Sequence, residues 1–395
     1  MLIKNIQASG LLSFGPKGIN LPMRKLNVLI GPNGSGKSNL LEVINLFREA
    51  PSPLHSIAGP ILDDGGIQEW LWKEGSQGEG APMTAILACQ VASGKKGVSF
   101  KHELRIDNYG GAVGLFSETI AEMAAGRKKD RPVYTWIGPF DAALWTKPGG
   151  LSRRLRYSQL NPGASILAQI RDPGRYAVLN YLQEQYSSIQ LYRNWSFGPH
   201  AQMRKPVRPD ERQDRLARSA QNLAVVVQAM DARTKKKIIA GLQTLYPGIQ
   251  GIQAKPVAGG SLLLYLEEEG GIEIPASRLS DGTLRFISLL VILHDPKPPP
   301  LIAIEEPELG LHPDVLRHVA ELLMEASDRT QIVVTTHSRH LVDCLNGDPE
   351  SVVVCEKHDG ESVFERLDGE RMKVWLEKYS LGELWSIGEL GGNRW

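Results

Sequence analysis

The chain has 395 residues, of which 42% are hydrophobic and 23% are charged, and its formal net charge at pH 7 is +1. These values predict a globular protein with enough core for two or three domains. A net charge this close to zero does not indicate a nucleic-acid or membrane partner, so any basic surface must come from local clusters.

Cysteine usage and the length of apolar runs bear on the cellular compartment. Cys89, Cys344 and Cys355 are far apart in sequence, which favours a reducing compartment over a disulfide framework or a zinc site. The N-terminus lacks the apolar core and cleavage site of a signal peptide, and no run approaches the roughly 18 apolar residues of a spanning helix. We therefore expect a cytoplasmic protein with no membrane partner.

The first fifty residues follow the order strand, glycine-rich loop, helix. Leu26–Ile30 is a compact apolar run that ends at Gly31, as a buried strand does. Apolar residues recur at helical spacing after the loop, which predicts an amphipathic helix from Ser38 to about Glu49.

The middle of the chain changes character twice. Two β-like runs, 84–92 and 98–106, are separated by a Ser-Gly-Lys-Lys-Gly turn, whereas 108–150 shows no clear period. Residues 160–245 have a mostly helical pattern, which glycine and proline interrupt near 196–210.

The last third alternates strands and helices, as an α/β sheet requires. The α/β fold that we expect combines a mixed central sheet, an antiparallel β subdomain and a helical insertion. We expect three segments: an N-terminal part with the glycine-rich loop and the antiparallel β region (1–150), a mostly helical insertion (151–260) and a C-terminal part that completes the α/β lobe (261–395). The predicted elements of the last segment are a hairpin of 262–266 and 272–274, helices 283–294 and 313–326, and strands 301–304, 331–335 and 352–356.

The glycine-rich loop matches the Walker A pattern GxxxxGK[ST] at every fixed position, with the expected strand before it and helix after it. Its glycines allow backbone N–H groups to converge on phosphates, and the helix N-terminus adds partial positive charge. Lys37 is placed for the β- and γ-phosphates, and the Ser38 hydroxyl for Mg²⁺. The predicted ATP-binding residues are Gly31, Pro32, Asn33, Gly34, Ser35, Gly36, Lys37, Ser38 and Asn39.

A second candidate element is an apolar strand that ends abruptly in acids. The run 301–304 is followed by Glu305, Glu306 and Glu308. A buried strand delivers such carboxylates beside bound phosphate, so we expect Glu305 in the Mg²⁺ shell and Glu306 as the general base on the attacking water. For Glu308 two interpretations stay open, an acid at a helix start and an indirect role in the metal site.

The segment before that strand reads Leu-Ser-Asp-Gly-Thr and precedes a helix. Ser280 could simply cap the helix, but order and spacing favour the ABC signature, in which Ser280 and Gly282 touch the γ-phosphate held by the opposite subunit. His337 ends the next strand in a Thr-Thr-His-Ser stretch, which is typical of a switch histidine contacting the γ-phosphate or the attacking water. His312, which leads into a proline, has a structural interpretation.

These motifs resemble the RecF/SMC-like branch of ABC ATPases, and in particular stand-alone ATPases related to the N-terminal half of OLD-family proteins. The resemblance covers most of the chain and is weakest over 51–150. Besides the motifs, it extends to 165–173, to 221–224 and to the Gly-rich C-terminal stretch from Leu381. It implies an ABC-type P-loop NTPase fold, with an ATPase lobe formed by 1–150 and 261–395. It also implies an ATPase that works as a homodimer with ATP sandwiched between two copies.

The family also implies a glutamine that reaches Mg²⁺. Gln169 is the candidate and Gln90 the competitor. The ending Asp281-Gly282-Thr283, where transporters usually carry Gly-Gly-Gln, and the large insertion argue against a transporter subunit. About sixty residues follow His337, too few for the Toprim nuclease domain of OLD proteins, and no coiled-coil arm is apparent.

Two functions follow from the resemblance. In the first, the dimer is an ATP-dependent, DNA-associated switch that controls a separate nuclease or other effector in genome maintenance or anti-phage defence. Basic clusters at 127–131, 153–156 and 235–237 are compatible with phosphate contacts, although a solvated surface explains them equally well. In the second, the dimer acts on a protein partner and no nucleic acid is involved.

Overall fold

A computed structural model describes residues 1–73, 84–193, 195–196 and 198–391. The chain divides into two compact units, the first formed by Met1–Ile189, Val353–Leu367 and the C-terminal residues from Leu390, the second by Gln190–Val352 and Asp368–Glu389. Each unit contains residues from more than one of the predicted segments 1–150, 151–260 and 261–395. The assignment of these segments to lobes remains a prediction.

Strands and helices are numbered in chain order. The strands are β1 Ile3–Ser9, β2 Ile19–Pro22, β3 Leu26–Ile30, β4 Thr84–Ala92, β5 Val98–Tyr109, β6 Ala112–Ala124, β7 Arg131–Ile137, β8 Ala142–Trp145, β9 Ser152–Leu155, β10 Gln190–Tyr192, β11 Ile249–Pro256, β12 Leu262–Glu268, β13 Ile272–Pro275, β14 Leu301–Glu305, β15 Gln331–Thr335, β16 Val352–His358 and β17 Glu361–Arg366. The helices are α1 Lys37–Glu49, α2 Ala58–Asp63, α3 Ile67–Trp70, α4 Ile166–Gln169, α5 Ala177–Ser187, α6 Leu223–Ala229, α7 Ala232–Gln243, α8 Asp281–Leu293, α9 Pro313–Ser327, α10 Arg339–Asp343, α11 Gly369–Leu376 and α12 Leu381–Ser386.

The first unit is built on an antiparallel sheet with the strand order β2-β1-β4-β5-β6-β7-β8-β9. The predicted runs 84–92 and 98–106 are confirmed as β4 and β5, which pair from Thr84 opposite Asp107 to Ala92 opposite Ser99. The range 108–150, which has no clear period, forms three of the remaining strands, β6, β7 and β8. Gly110 and Gly111, both with positive φ, make the tight turn between β5 and β6.

Helix α1 and strand β3 belong to the same unit. All five residues of β3 are buried, as the apolar run predicted, and β3 lies beside β16 in a sheet that β17 extends. The buried face of α1 packs on α5, where Phe47 lies 5.7 Å from the Tyr186 ring and 5.6 Å from His102. The helix predicted from Ser38 is confirmed, and it begins at Lys37.

The second unit contains the parallel strands β10, β14 and β15 and the antiparallel sheet β11-β12-β13. The hairpin of β12 and β13 and the helices α8 and α9 are confirmed near their predicted bounds. Nearly every residue of α8 is buried, which is typical of a central helix.

One secondary-structure prediction was too helical. Within 160–245 the structure has α4 to α7, but between Tyr192 and Leu223 the described residues form only a short 3₁₀ turn. Asn222 explains part of this stretch, because its side chain donates to the carbonyls of Arg212 and Arg215 and accepts from Ala217 N. Such local side-chain bonds satisfy backbone groups without a helix.

A buried polar cluster joins β5, β6 and α4 in the first unit. The Glu118 carboxylate is 1% exposed and accepts hydrogen bonds from His102 Nε2 at 2.8 Å, from Ile166 N at 2.8 Å and from Ser165 Oγ. Glu118 therefore satisfies three donors that have no access to water, and their loss would be costly.

We predict that Glu118→Ala lowers the free energy of unfolding by about 3–5 kcal/mol, because it leaves these buried donors without an acceptor. Denaturant unfolding followed by circular dichroism measures the change. The matched control is Glu103→Ala on the neighbouring strand, whose half-exposed ion pair with Lys101 contributes about 1 kcal/mol or less. Equal losses in the two variants would contradict the importance of the cluster.

Candidate nucleotide site

The Walker A loop depends on glycines at two close backbone approaches. Gly31 and Gly36 have φ values of +146° and +94°, which side chains larger than hydrogen rarely adopt. A Cβ on Gly31 would overlap the carbonyl oxygen of Cys355, and one on Gly36 would overlap the hydroxyls of Ser362 and Ser13. The loop thus curls against the end of β16 and the start of β17.

Donors converge inside this loop. Lys37 is 6% exposed, and its Nζ donates to Gly31 O at 2.8 Å and Pro32 O at 2.9 Å. Ser35 Oγ is buried and has no hydrogen-bond partner among the described residues. A buried lysine, an unsatisfied hydroxyl and the N-terminus of α1 together fit an anion of the size and charge of a phosphate.

Three polar side chains that the sequence reasoning did not single out as a group support the loop from one side. Asn39 Nδ2 donates to Ser13 Oγ at 2.6 Å, and Ser362 Oγ donates to the same atom at 2.6 Å. Ser13 and Ser362 are 349 residues apart, so no local pattern could have paired them. Beside them lies a cavity of about 490 Å³, whose lining includes Leu12, Ser13, Asn39, Trp72, Lys73 and Lys357.

In the second unit, the end of β14 carries the predicted acids. Glu305 is paired in register with Thr335 at the end of β15. Its Oε2 lies 3.0 Å from Arg193 Nε, and Arg193 directly follows Tyr192, the last residue of β10. Arg193 was missed because a three-residue strand is too short to be read from sequence.

Glu306 adopts a backbone conformation that is unusual for its residue type. Its φ is +45°, and its N–H donates to Thr335 O at 2.9 Å and Thr335 Oγ1 at 3.2 Å. Left-handed conformations of non-glycine residues are costly and recur at functional sites. The Glu306 carboxylate lies 3.6 Å from His337 Nε2, so the structure brings together the predicted base and the predicted switch histidine.

Glu308 is largely buried next to the same histidine. Its Oε1 accepts from Thr336 Oγ1 and from the His337 backbone N–H, both at 2.7 Å, and burial raises the pKa of its carboxyl. It does not start a helix, because α9 begins at Pro313 and its N-cap is His312, which is the structural role expected for that histidine. Glu308 instead holds the backbone of His337.

The signature segment forms the N-terminus of α8. Ser280 Oγ accepts from Thr283 N at 3.0 Å, so the capping role is present. A Cβ on Gly282 would lie 2.5 Å from Gly310 O, in the loop that follows the acids. Asp281 is fixed by Arg204 Nη2 at 2.6 Å and by Gly198 N at 2.9 Å. The N-terminus of α8 is therefore held from several sides.

Arg285, one turn further along α8, is 1% exposed and reaches the chain that carries the acids. Its guanidinium donates to the carbonyls of Glu305 (3.2 Å), Glu306 and Pro307 (3.4 Å), and it lies 4.7 Å from the Trp195 ring centre. Burial lowers the pKa of Arg285 to about 10.

The two candidate glutamines lie in the first unit. Gln169 Nε2 donates to the carbonyls of Asn161 and Ala164, and its Oε1 accepts from Asn161 N. Gln90 Nε2 donates to Ser99 Oγ at 2.8 Å. The described residues contain no group of three or more His, Cys, Asp or Glu side chains placed to hold a metal. The assignment of Mg²⁺ to Ser38, Glu305 and Gln169 thus remains a prediction.

The comparison with protein families agrees with this geometry. The family AAA_21, described as "AAA domain, putative AbiEii toxin, Type IV TA system", matches residues 26–343, a range that includes β3, the Walker A loop, the signature, the acids and His337. The chain belongs to this family. It is a RecF/SMC-like ABC-type ATPase, as the motifs predicted.

Solved structures show that this AAA_21 chain shares the fold of SMC heads. An Smc head bound to the C-winged helix domain of ScpA superposes with a TM-score of 0.57 at 18% identity, covering 93% of this chain and 98% of that one. The Smc head with an extended coiled coil from Pyrococcus furiosus, bound to the C-terminal domain of ScpA, gives 0.55 at 14%, covering 95% and 98%. The predicted ABC-type α/β fold is confirmed.

Curated relatives match a shorter part of the AAA_21 chain. ABC transporter A family members 9 and 11 of Arabidopsis thaliana are each 30% identical over 105 residues, which is 26% of this chain and 11% of theirs. The chain thus spans about a tenth of the length of these relatives.

Among the described residues, no helix combines the length and the apolar character that crossing a membrane requires.

We predict that Gly36→Ala weakens ATP binding about tenfold or more, because the new Cβ adds an overlap with Ser13 and Ser362 to the strain of a positive φ. Titration with a fluorescent ATP analogue measures the dissociation constant. Gly94→Ala is the matched control, since it has a φ of +75° but nothing within 4 Å of its Cβ. If both variants bound ATP like the parent chain, the close packing of the loop would be irrelevant to the nucleotide.

Proposed function

We propose that the chain hydrolyses ATP as a dimer in which two nucleotides are sandwiched between two copies. The observation that carries this proposal is the fixed pair of Glu306 and His337 at the carboxyl edge of a parallel sheet, in a chain that also has a complete Walker A loop. Glu306 is the general base on the attacking water, and His337 contacts that water or the γ-phosphate.

The remaining roles follow from the chemistry of the donors. Lys37 and the loop N–H groups hold the phosphates, and Ser38 and Glu305 hold Mg²⁺, with Gln169 or Gln90 as a further ligand. Mg²⁺, when bound, neutralises charge on the β- and γ-phosphates. The cavity beside Ser13 and Asn39 is large enough for a base and ribose, which fits a nucleotide whose phosphates lie in the loop.

The dimer follows from the signature segment. Ser280 and Gly282 stand at the N-terminus of the 13-residue helix α8, a place suited to an anion. We assign them to the γ-phosphate held by the Lys37 loop of the other copy, which completes that site.

We predict that Glu306→Gln still binds ATP, hydrolyses it at least about a hundredfold more slowly, and accumulates as a dimer, because the base is lost while both phosphate grips remain. Light scattering with and without ATP and a phosphate-release assay measure the two properties. Lys37→Ala should lose binding, and Ser280→Arg should bind ATP without efficient turnover. Normal turnover by Glu306→Gln would remove the assignment of the base.

We further propose that the dimer is a DNA-associated switch in the cytoplasm that controls a separate nuclease or other effector, in genome maintenance or anti-phage defence. Exposed Arg153 and Arg154 lie on β9, the edge strand of the antiparallel sheet, although Arg154 is paired with Asp141 at 2.6 Å. In the other clusters Arg127 is paired with Glu122 and Lys237 with Glu325. Cluster 153–156 is the first choice, because Arg153 and Arg156 are exposed on and directly after an edge strand.

We predict that the Glu306→Gln protein binds duplex DNA only with ATP, and that binding weakens with salt because phosphate contacts release counterions. The double change Arg153→Glu and Arg156→Glu should reduce binding about tenfold, measured by fluorescence anisotropy at several salt concentrations. Lys235→Glu with Lys236→Glu, in a separate exposed cluster, is the control. Absence of any ATP-dependent DNA binding would favour the alternative, a regulatory module acting on a protein partner.

A further inference from the structure

We infer that Arg285 is a positioning residue that couples the two nucleotide sites of the dimer. The inference rests on the proposed function, because it requires a signature segment that engages the nucleotide of the other copy. It adds that each chain senses this engagement and adjusts its own catalytic acid in response.

The first part of the connection is a set of hydrogen bonds between Arg285 and the main chain that carries the acids, which we call the backbone clamp. Glu306 is held on both sides of its strained conformation: its N–H donates to Thr335, and its carbonyl accepts from Arg285 and, at 3.1 Å, from Leu309 N. Arg285 also donates to the carbonyls of Glu305 and Pro307 on either side. Because three consecutive carbonyls face one guanidinium, a displacement of Arg285 changes the peptide orientations that aim the Glu306 carboxylate.

The other end of the connection is the signature itself. Arg285 is five residues after Ser280 and three after Gly282, within the first turns of one helix. Gly282 packs against Gly310 in the loop beyond the acids, where even a Cβ would not fit. A movement of the α8 N-terminus towards a phosphate therefore reaches the acid-bearing chain through two contacts, one at Gly282 and one at Arg285.

The choice of arginine fits this task. A planar guanidinium can donate to several carbonyls at once while its face lies on Trp195, whereas an ammonium is a single point charge. Burying a cation costs free energy unless hydrogen bonds satisfy it. The buried guanidinium of Arg285 therefore needs its carbonyl acceptors, and those carbonyls are held in place by the guanidinium. Arg285 does not contact the reacting atoms in this arrangement. Its effect passes through the main chain of Glu306.

The consequence is reciprocal control between sites. In the sandwich, the acid of one chain acts on its own nucleotide, while the signature of that chain seals the other nucleotide. Arg285 joins these two elements within one chain, so occupancy of one site sets the geometry of the acid in the other. Hydrolysis should then be fast only when both sites hold ATP.

Single variants give the first test. Arg285→Met should bind ATP with nearly unchanged affinity and lose about tenfold or more in kcat, and Arg285→Lys should recover part of the loss. Arg329→Met is the matched control, since Arg329 also donates to two carbonyls at the opposite end of α8, those of Leu293 and Asp295. Thermal unfolding of both Met variants accounts for the general cost of removing such a clamp.

Mixed dimers test the coupling itself. A reporter chain with an intact acid is paired, through a second affinity tag, with a Glu306→Gln chain, so that all turnover comes from the reporter. Adding Lys37→Ala to the partner removes the ATP that the reporter's signature engages, and leaves the reporter's own ATP sealed by the partner's Ser280 segment. Turnover is expressed per mixed dimer, quantified by light scattering.

The coupling predicts that losing the partner's ATP slows the reporter about tenfold, and that an Arg285→Met reporter is slow with either partner. The Arg329→Met reporter should behave like the parent. A reporter that ignores its partner's ATP, or an Arg285→Met reporter that still responds to it, overturns the coupling alone. If no ATP-dependent dimer forms with Glu306→Gln, the proposed function and the coupling fall together.

Discussion

The site depends on one constrained peptide, the one that turns the chain at Glu306. A parallel strand brings Glu305 to the sheet edge, and the next residue must leave the strand direction for its carboxylate to reach His337 at 3.6 Å. The left-handed φ of +45° achieves this turn, at a cost that is usually about 1–3 kcal/mol. Thr335 and Arg285 offset that cost with hydrogen bonds to the N–H and the carbonyl. A further hydrogen bond, from Leu309 N to the Glu306 carbonyl at 3.1 Å, closes the turn that follows.

The Walker A loop is constrained in a different way, because its backbone packs directly against neighbouring groups. Side chains are excluded at Gly31 and Gly36 by main-chain and hydroxyl groups of the strands beside them. The ammonium group of Lys37 is buried against two carbonyls of its own loop. A bound anion would compete with these carbonyls as acceptor of the Lys37 hydrogen bonds. In the first unit the loop conformation depends on the absence of a Cβ at Gly31 and Gly36. In the second unit the conformation of Glu306 depends on hydrogen bonds with Arg285 and Thr335.

Sequence patterns predicted those parts of the fold in which one stretch of chain determines its own environment. Four elements could be predicted directly: the strand Leu26–Ile30, helix α1, the acidic strand β14 and the capped helix α8. A strand that is buried on both faces reads as a continuous apolar run, and a helix with one apolar face shows a helical period. The antiparallel strands from 108 to 150 were missed, since β6 has 13 residues but its alternation is broken by register shifts against β5 and β7, and β8 has only four residues. Partners such as Arg193, Ser362 and Trp195 were missed because their roles exist only through contacts across long sequence separations.

Charge balance explains why two residues beside the acids, Arg193 and Arg285, are arginines. Glu305, Glu306 and Glu308 lie within four residues, and the charge of Glu306 adds to burial in raising the pKa of Glu308. Three carboxylates so close together repel one another unless cations stand nearby. Arg193 pairs with the Glu305 carboxylate, whereas Arg285 donates to the main-chain carbonyl of Glu306, whose carboxylate faces His337. A guanidinium that pairs with a carboxylate lowers the pKa of that carboxyl and weakens it as a base, so the main-chain contact of Arg285 is compatible with the role proposed for Glu306.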